Sequence, residues 1–124
     1  MNIVVDTHTL FWYFRIHKKL SPEAKQFLLE ADKIFIPTIV ILELSYLMGK
    51  MKLKNEFLLI LREIEINERY VITSLDIGII KVVINLAGTL EIHDKIIVAT
   101  SMLFNLPLVT KDPQIQKVYK NTIW

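Results

Sequence analysis

The sequence predicts an α/β fold with a central, mostly parallel sheet, and two observations predict it. Short runs rich in β-branched residues alternate with longer stretches of helical character along the chain, the order that parallel strands joined by crossover helices require. The first such run, Ile3-Val4-Val5, stops abruptly at a polar residue, which suits a strand in the interior of a parallel sheet. With 124 residues, 52% of them hydrophobic, the chain is expected to form one domain, residues 1–124, around a sizeable core.

The elements follow in order. Asn2 to Val5 reads as the first buried strand, and Thr7 to Ile16 as a helix with Asp6 or Thr7 near its cap. Ser21-Pro22-Glu23-Ala24 starts a helix that runs to about Asp32: Ser at the cap, Pro in the first position, an acid in the first turn. Lys33 to Ile36 is a strand ended by Pro37. Thr38 then caps a helix that runs to about Met48 and stops at Gly49. That helix is apolar on nearly every face, so it is expected deep in the protein. Asn55 to Glu65 reads as an amphipathic helix and Tyr70 to Thr73 as a strand. Ser74 caps a helix from about Leu75 to Ala87, closed by Gly88, and His93-Asp94 leads into a long helix through Phe104. Leu106 to Val109 is a strand, Lys111-Asp112-Pro113 a loop, Gln114 to Val118 a short helix and Thr122 to Trp124 a last strand. No repeat, low-complexity tract or linker interrupts this order.

Composition narrows the function. The chain has no cysteine, which excludes disulfides, thiolate nucleophiles and Cys-based zinc sites and fits a cytoplasmic location. The first residues lack the basic stretch of a signal peptide, and the longest uncharged run, Ile96 to Thr110, is too short to span a bilayer and contains Pro107. A soluble protein with no membrane partner is expected. The formal charge of +2 neither demands nor excludes nucleic acid.

The informative residues are four acids in apolar surroundings. Asp6 closes Ile3-Val4-Val5, Glu43 interrupts Ile39-Val40-Ile41-Leu42 and Leu44, Asp94 precedes Ile96-Ile97-Val98-Ala99, and Asp112 closely follows Leu108-Val109-Thr110. A carboxylate among buried side chains loses hydration worth several kcal/mol unless a partner compensates it, and few Lys or Arg residues lie within these runs. Acids meeting in one pocket would also repel. A divalent cation resolves both problems, and hard cations take oxygen ligands. The four acids therefore point to a metal site, and such a site to phosphodiester chemistry. Asp6 and Asp112 fall just past predicted strands, where ligands of α/β sheets bind, and Glu43 and Asp94 can approach the same rim. Each acid also has a simpler use: Asp6 and Asp94 as helix caps, Asp112 as the turn residue before Pro113.

These residues also carry a family pattern. Val4-Val5-Asp6-Thr7, Pro37-Thr38 followed by Glu43, Ile92-His93-Asp94-Lys95-Ile96-Ile97-Val98-Ala99-Thr100, and Leu108-Val109-Thr110-Lys111-Asp112 give the chain a resemblance to PIN-domain ribonucleases, and among them to the VapC toxins of prokaryotic toxin–antitoxin pairs. The resemblance covers essentially the whole chain. It implies a PIN-like α/β/α sandwich in which Asp6, Glu43, Asp94 and Asp112 are catalytic and bind one or two Mg²⁺ or Mn²⁺ ions, with Thr7 and Thr110 in support. It further implies RNA as the substrate, a cognate antitoxin whose C-terminal segment lies in the groove, and a homodimer. Lys95 stands where many relatives carry Arg, and Thr100-Ser101 where small apolar residues are common; all four acids are present.

On this reading metal-activated water hydrolyses RNA, one of the acids orients or deprotonates the water, and the products carry 5′-phosphate and 3′-hydroxyl ends. Single-stranded or looped RNA is the expected target, since unstacked bases can be splayed into a pocket. The aromatic run Phe11-Trp12-Tyr13-Phe14 serves either as base-stacking surface or, the preferred reading, as core or subunit interface. Met48 and Met51 are read as core or interface fillers, and His93 as a loop residue that caps or packs rather than a base. Competing readings are an RNA-processing PIN nuclease that is no toxin, and a non-catalytic metal-binding module. A receiver-like module is disfavoured because no acid ends the second or third strand.

Overall fold

The computed structural model describes all 124 residues. Five parallel strands form one sheet: β1 (Asn2–Val5), β2 (Lys33–Pro37), β3 (Tyr70–Thr73), β4 (Leu108–Val109) and β5 (Thr122–Ile123), in the order β3-β2-β1-β4-β5. Seven helices connect them: α1 (Thr7–Arg15), α2 (Pro22–Glu30), α3 (Thr38–Lys50), α4 (Lys54–Ile66), α5 (Ile77–Asn85), α6 (Ile92–Phe104) and α7 (Pro113–Val118). Ile3, Val4 and Val5 are all fully buried, so both faces of the central strand are covered, as the α/β/α arrangement requires. The register pairs Ile3 with Ile34 on one side, and Val5 with Val109 on the other. The main core gathers Leu10, Leu28, Leu44, Met48, Ile64, Ile97 and Ile115 against these strands, and a smaller cluster of Ile79, Ile96 and Ala99 joins α5 to α6.

The strand order positions the site. The chain builds outward from β1 through β2 to β3, then returns to lay β4 and β5 on the opposite side of β1. Connections on the two sides diverge at the carboxyl ends of β1 and β4, the place where open α/β sheets leave a crevice. Asp6 follows β1, and Thr110 to Asp112 follow β4.

Several expected boundaries shift, each for a local reason. Asp6 caps α1 by accepting from Thr9 N at 3.0 Å. α3 begins with Thr38 as its first helical residue rather than its cap, and continues through Gly49 to Lys50. α5 is capped by Asp76, which accepts from Ile79 N at 3.0 Å, so the helix starts later than a Ser74 cap would place it, and it ends at Asn85. α6 starts at Ile92 with Glu91 in the cap position, which puts Asp94 inside the first turn and removes its use as an N-cap. β4 pairs only over Leu108–Val109.

Helix α3 corrects a larger expectation. Val40, Leu44 and Met48 recur every four residues and are fully buried, yet Leu42 is 52% and Tyr46 67% exposed. The helix packs by one stripe and leaves its other apolar face uncovered, so it does not lie deep. No helix is long and apolar enough to cross a membrane.

One buried polar atom in the fold has no partner: Thr73 Oγ1, at the end of β3. An orphaned hydroxyl loses its hydration with nothing in return. Thr73→Val is therefore expected to raise stability by about 1 kcal/mol, read from the urea midpoint at unchanged slope; a fall in the midpoint would contradict this.

Candidate functional site

At the carboxyl rim lies a cleft of about 770 Å³ whose walls include Asp6, Thr7, Glu43, Asp94 and Asp112. Four acids scattered over more than a hundred positions of sequence thus share one cavity. Thr110 stands behind it, fully buried. Sequence reasoning missed a fifth acid, Glu91, also in the wall. Its signal was available, since Glu91 precedes Asp94 by three residues, which is one helical turn.

Each side chain has a structural reason for its place. Asp6 is buried at the end of β1 and accepts from Thr9 N through one oxygen and from the Thr110 hydroxyl through the other. Thr110 in turn accepts from the Asp112 backbone N–H at 3.1 Å, so one hydroxyl ties the end of β1 to the loop after β4. The Thr9 hydroxyl donates to the Val109 carbonyl at 3.0 Å and reinforces the same junction. Asp112 caps α7, accepting from Gln114 N at 2.8 Å, so the capping use and the cleft position coexist. Glu43 reaches in from α3 between two neighbours: Thr7 Oγ1 donates to its Oε1 at 2.9 Å, and its Oε2 faces His93 Nδ1 at 3.3 Å. His93 therefore sits in the first turn of α6 as a neighbour of an acid, not as a loop residue.

Only Asp6 of the four is fully buried; Glu43, Asp94 and Asp112 are half-buried along the cleft wall. Burial pushes the Asp6 carboxyl above its ordinary value, against the opposing pull of the Thr110 and Thr9 hydrogen bonds and of His8. Burial also pushes Asp94 up, to about 6, with the charges of Asp112, Glu43, Asp6 and Glu91 adding to the effect. No Lys or Arg pairs with any of these carboxylates: the ion pairs of the protein are Met1 with Asp32 and His93 with Glu43. The premise drawn from the sequence, acids without cationic partners, therefore holds in space.

No three of the His, Asp and Glu side chains converge tightly enough to ligate one ion directly. Mutual repulsion among five carboxylates opposes closer approach. As a donor set they nevertheless suit a hard divalent cation: anionic oxygens only, in a half-buried cleft where burial and then the neighbouring negative charges push Asp94 up.

The remaining wall is mixed. His8, Trp12, Lys19, Tyr46, Lys50 and Lys111 also line the cleft. Of the lysines, Lys19, Lys50 and Lys111 stand here, while Lys95, although next to Asp94, does not. The aromatic run divides: Phe11 is buried, Tyr13 and Phe14 pack on one another and Phe14 on Tyr70, and only Trp12 faces the cleft. Met48 is core, and Met51 is 49% exposed.

The comparison with solved structures finds the same fold. A chain of a toxin–antitoxin complex from Klebsiella pneumoniae superposes with a TM-score of 0.74 at 22% identity, covering 98% of this chain and 96% of its own. A chain of VapBC2 from Rickettsia felis, bound to a DNA fragment from its promoter, gives 0.72 at 19% identity over 99% and 96%. A chain of FitAcB from Neisseria gonorrhoeae gives 0.69 at 13% identity over 95% and 92%. No curated protein sequence matches the chain. The sequence pattern of the PIN domain matches residues 3–121, nearly the full length. The chain belongs to the PIN domain family.

Proposed function

We propose that this protein is a metal-dependent endoribonuclease and the toxin of a VapBC-type toxin–antitoxin pair, formed by one PIN-like domain over residues 1–124. The observation that carries the nuclease reading is the cluster of Asp6, Glu43, Asp94 and Asp112 in one cleft at the switch point of the sheet, none of them ion-paired to a Lys or Arg. These four acids would hold Mg²⁺ or Mn²⁺. When bound, the ion lowers the pKa of a water and neutralises charge on the attacked phosphate.

The protein's own groups prepare that site. Thr110 and Thr9 N each donate to one oxygen of Asp6 and so orient the carboxylate. Thr7 and His93 hold Glu43 from opposite sides, so its orientation is set by α1 and α6 together. Asp94, half-buried in the cleft wall and pushed up to about 6 in the metal-free cleft by burial and then by the neighbouring acids, is the acid we assign to orienting that water. Thr7 and Thr110 are positioning residues.

The toxin reading is supported by the shared fold with chains of toxin–antitoxin complexes over nearly the full length of both. A cognate antitoxin is then the expected partner, and the cytoplasm the expected location. A homodimer is supported by the uncovered apolar faces of α3 and α5, where Leu42, Tyr46, Ile77, Ile80 and Ile84 are exposed.

The test is cleavage of end-labelled total RNA by antitoxin-free protein with Mg²⁺ or Mn²⁺. Discrete cuts with 5′-phosphate and 3′-hydroxyl ends are expected, lost on adding EDTA. Cutting that persists in EDTA, or 2′,3′-cyclic phosphate ends, would rule out metal-activated water.

A further inference from the structure

Trp12 stands in the cleft wall beside Asp6, Thr7 and Asp112, and the proposed chemistry leaves it unused. His8, one helical turn earlier, packs against it with ring centroids 5.6 Å apart, and Trp124 and His17 pack against it at 5.6 and 6.2 Å, which holds the half-buried indole in place. Two ammonium groups flank the indole: Lys19 Nζ lies 6.0 Å and Lys111 Nζ 5.9 Å from its centroid. They come from separate segments, Lys19 from the connection between α1 and α2, Lys111 from the loop after β4. Both lysines are exposed, and neither pairs with a carboxylate although five acids line the same cleft.

A cleft walled only by acids would repel a polyanion. Its approach requires cations near the acids, and a base requires a flat apolar surface. An aromatic ring with two unpaired ammoniums about 6 Å from its centroid supplies both. A lysine over a partly exposed ring is a weak contact on a flexible stem, so an incoming base would displace it and leave the ammonium free to meet a flanking phosphate.

We infer that Trp12, Lys19 and Lys111 form a nucleotide subsite for single-stranded RNA beside the carboxylates, with one base stacked on the indole and its flanking phosphates held by the two lysines. This rests on the ribonuclease reading. Stacking reads the π-face and not the base edge, so the subsite tolerates any base and contributes affinity and register rather than sequence choice.

The experiment measures binding of fluorescein-labelled octa-adenylate and octa-uridylate RNA to full-length Asp94→Asn protein in Mg²⁺, so that the probe stays intact, over a series of salt concentrations. Adding Trp12→Leu is expected to weaken binding about tenfold or more, with Trp12→Phe retaining most of the affinity. Trp12→Leu should leave the salt slope unchanged. Lys19→Gln and Lys111→Gln should each lower that slope by about 0.7. Should Trp12→Leu fail to fold, the two exposed lysines decide the matter by their slopes alone. RNA binding that none of these substitutions changes overturns the subsite and leaves the ribonuclease reading standing. Absence of any RNA binding by the Asp94→Asn protein overturns both. Intact RNA binding with weakened antitoxin binding in Trp12→Leu assigns the surface to a protein partner and overturns the subsite.

Discussion

Asp94→Asn is expected to stabilise the metal-free protein while removing its cleavage activity. Asp94 is held at about 6 by burial and by the negative charges of Asp112, Glu43, Asp6 and Glu91, against an ordinary value of 3.8. A carboxyl raised in the folded state binds its proton more tightly folded than unfolded. Its contribution to stability is therefore fully present below pH 3.8 and is lost as the pH rises through about 6. At neutral pH the ionised group opposes folding. Discounted for the solvent that reaches this half-buried side chain, the cost is on the order of 1–2 kcal/mol. Asparagine keeps the shape and removes the charge, so thermal unfolding in EDTA should give the variant a Tm several degrees higher at pH 7, with the two proteins converging towards pH 4. Mg²⁺ or Mn²⁺ should raise the Tm of the wild type more than that of the variant, because the ion binds only the folded donor set. Cleavage should fall by more than about a hundredfold, since even groups that only orient a metal's ligands typically cost ten- to a hundredfold. A variant less stable than the wild type at pH 7 in EDTA, or one that still cleaves RNA, would remove Asp94 from the role assigned to it.

The expected opposition between stability and activity accounts for why the candidate site is partly legible in the sequence. Asp6, Glu43 and Asp94 break local apolar patterns, and a residue that works against folding shows up where pattern alone would place something else. Asp6 and Asp112 could be assigned to one rim because both follow strands, and the parallel register brings Val5 and Val109 side by side. Which strands are neighbours was not legible: β1 pairs with β2 and β4 through contacts between distant segments, and no local signal encodes that choice. Glu91 was missed for a related reason. It is exposed, breaks no apolar run, and joins the site only because α6 starts at Ile92, which makes Glu91 its cap residue, three positions before Asp94. The error on α3 has another source. An all-round apolar helix predicts cover on every side, but composition does not say whether the cover comes from the same chain. Here Val40, Leu44 and Met48 meet the core while Leu42 and Tyr46 face outward.

The largest stability loss outside the core is expected at Arg69, a residue that no motif or pattern singles out. Helix α2 ends at Glu30 with no basic residue in its last turn, and its C-cap, Ala31, is not in the left-handed conformation that usually lets a helix close its own carbonyls. Those carbonyls are met from some forty positions away. Arg69 donates through Nε to the Ala31 carbonyl at 3.0 Å and through one terminal nitrogen to the carbonyls of Leu29, at 2.9 Å, and Leu28. Its other terminal nitrogen reaches the Tyr13 hydroxyl at 3.3 Å. One guanidinium thus closes the negative end of α2 and joins it to α1 and to the entry of β3. Charge-assisted hydrogen bonds of this kind are worth about 1.5–3 kcal/mol together once water can replace part of them, so Arg69→Met should lower the stability by about 2–3 kcal/mol. Arg69→Lys should recover only part of that, because an ammonium carries the charge but cannot present the planar fork that reaches three carbonyls and a hydroxyl together. Urea unfolding of the three proteins tests this ordering: wild type first, the lysine variant between, the methionine variant last. A methionine variant within about 0.5 kcal/mol of the wild type would mean that water alone satisfies the end of α2, and that Arg69 holds the helix in place without stabilising it.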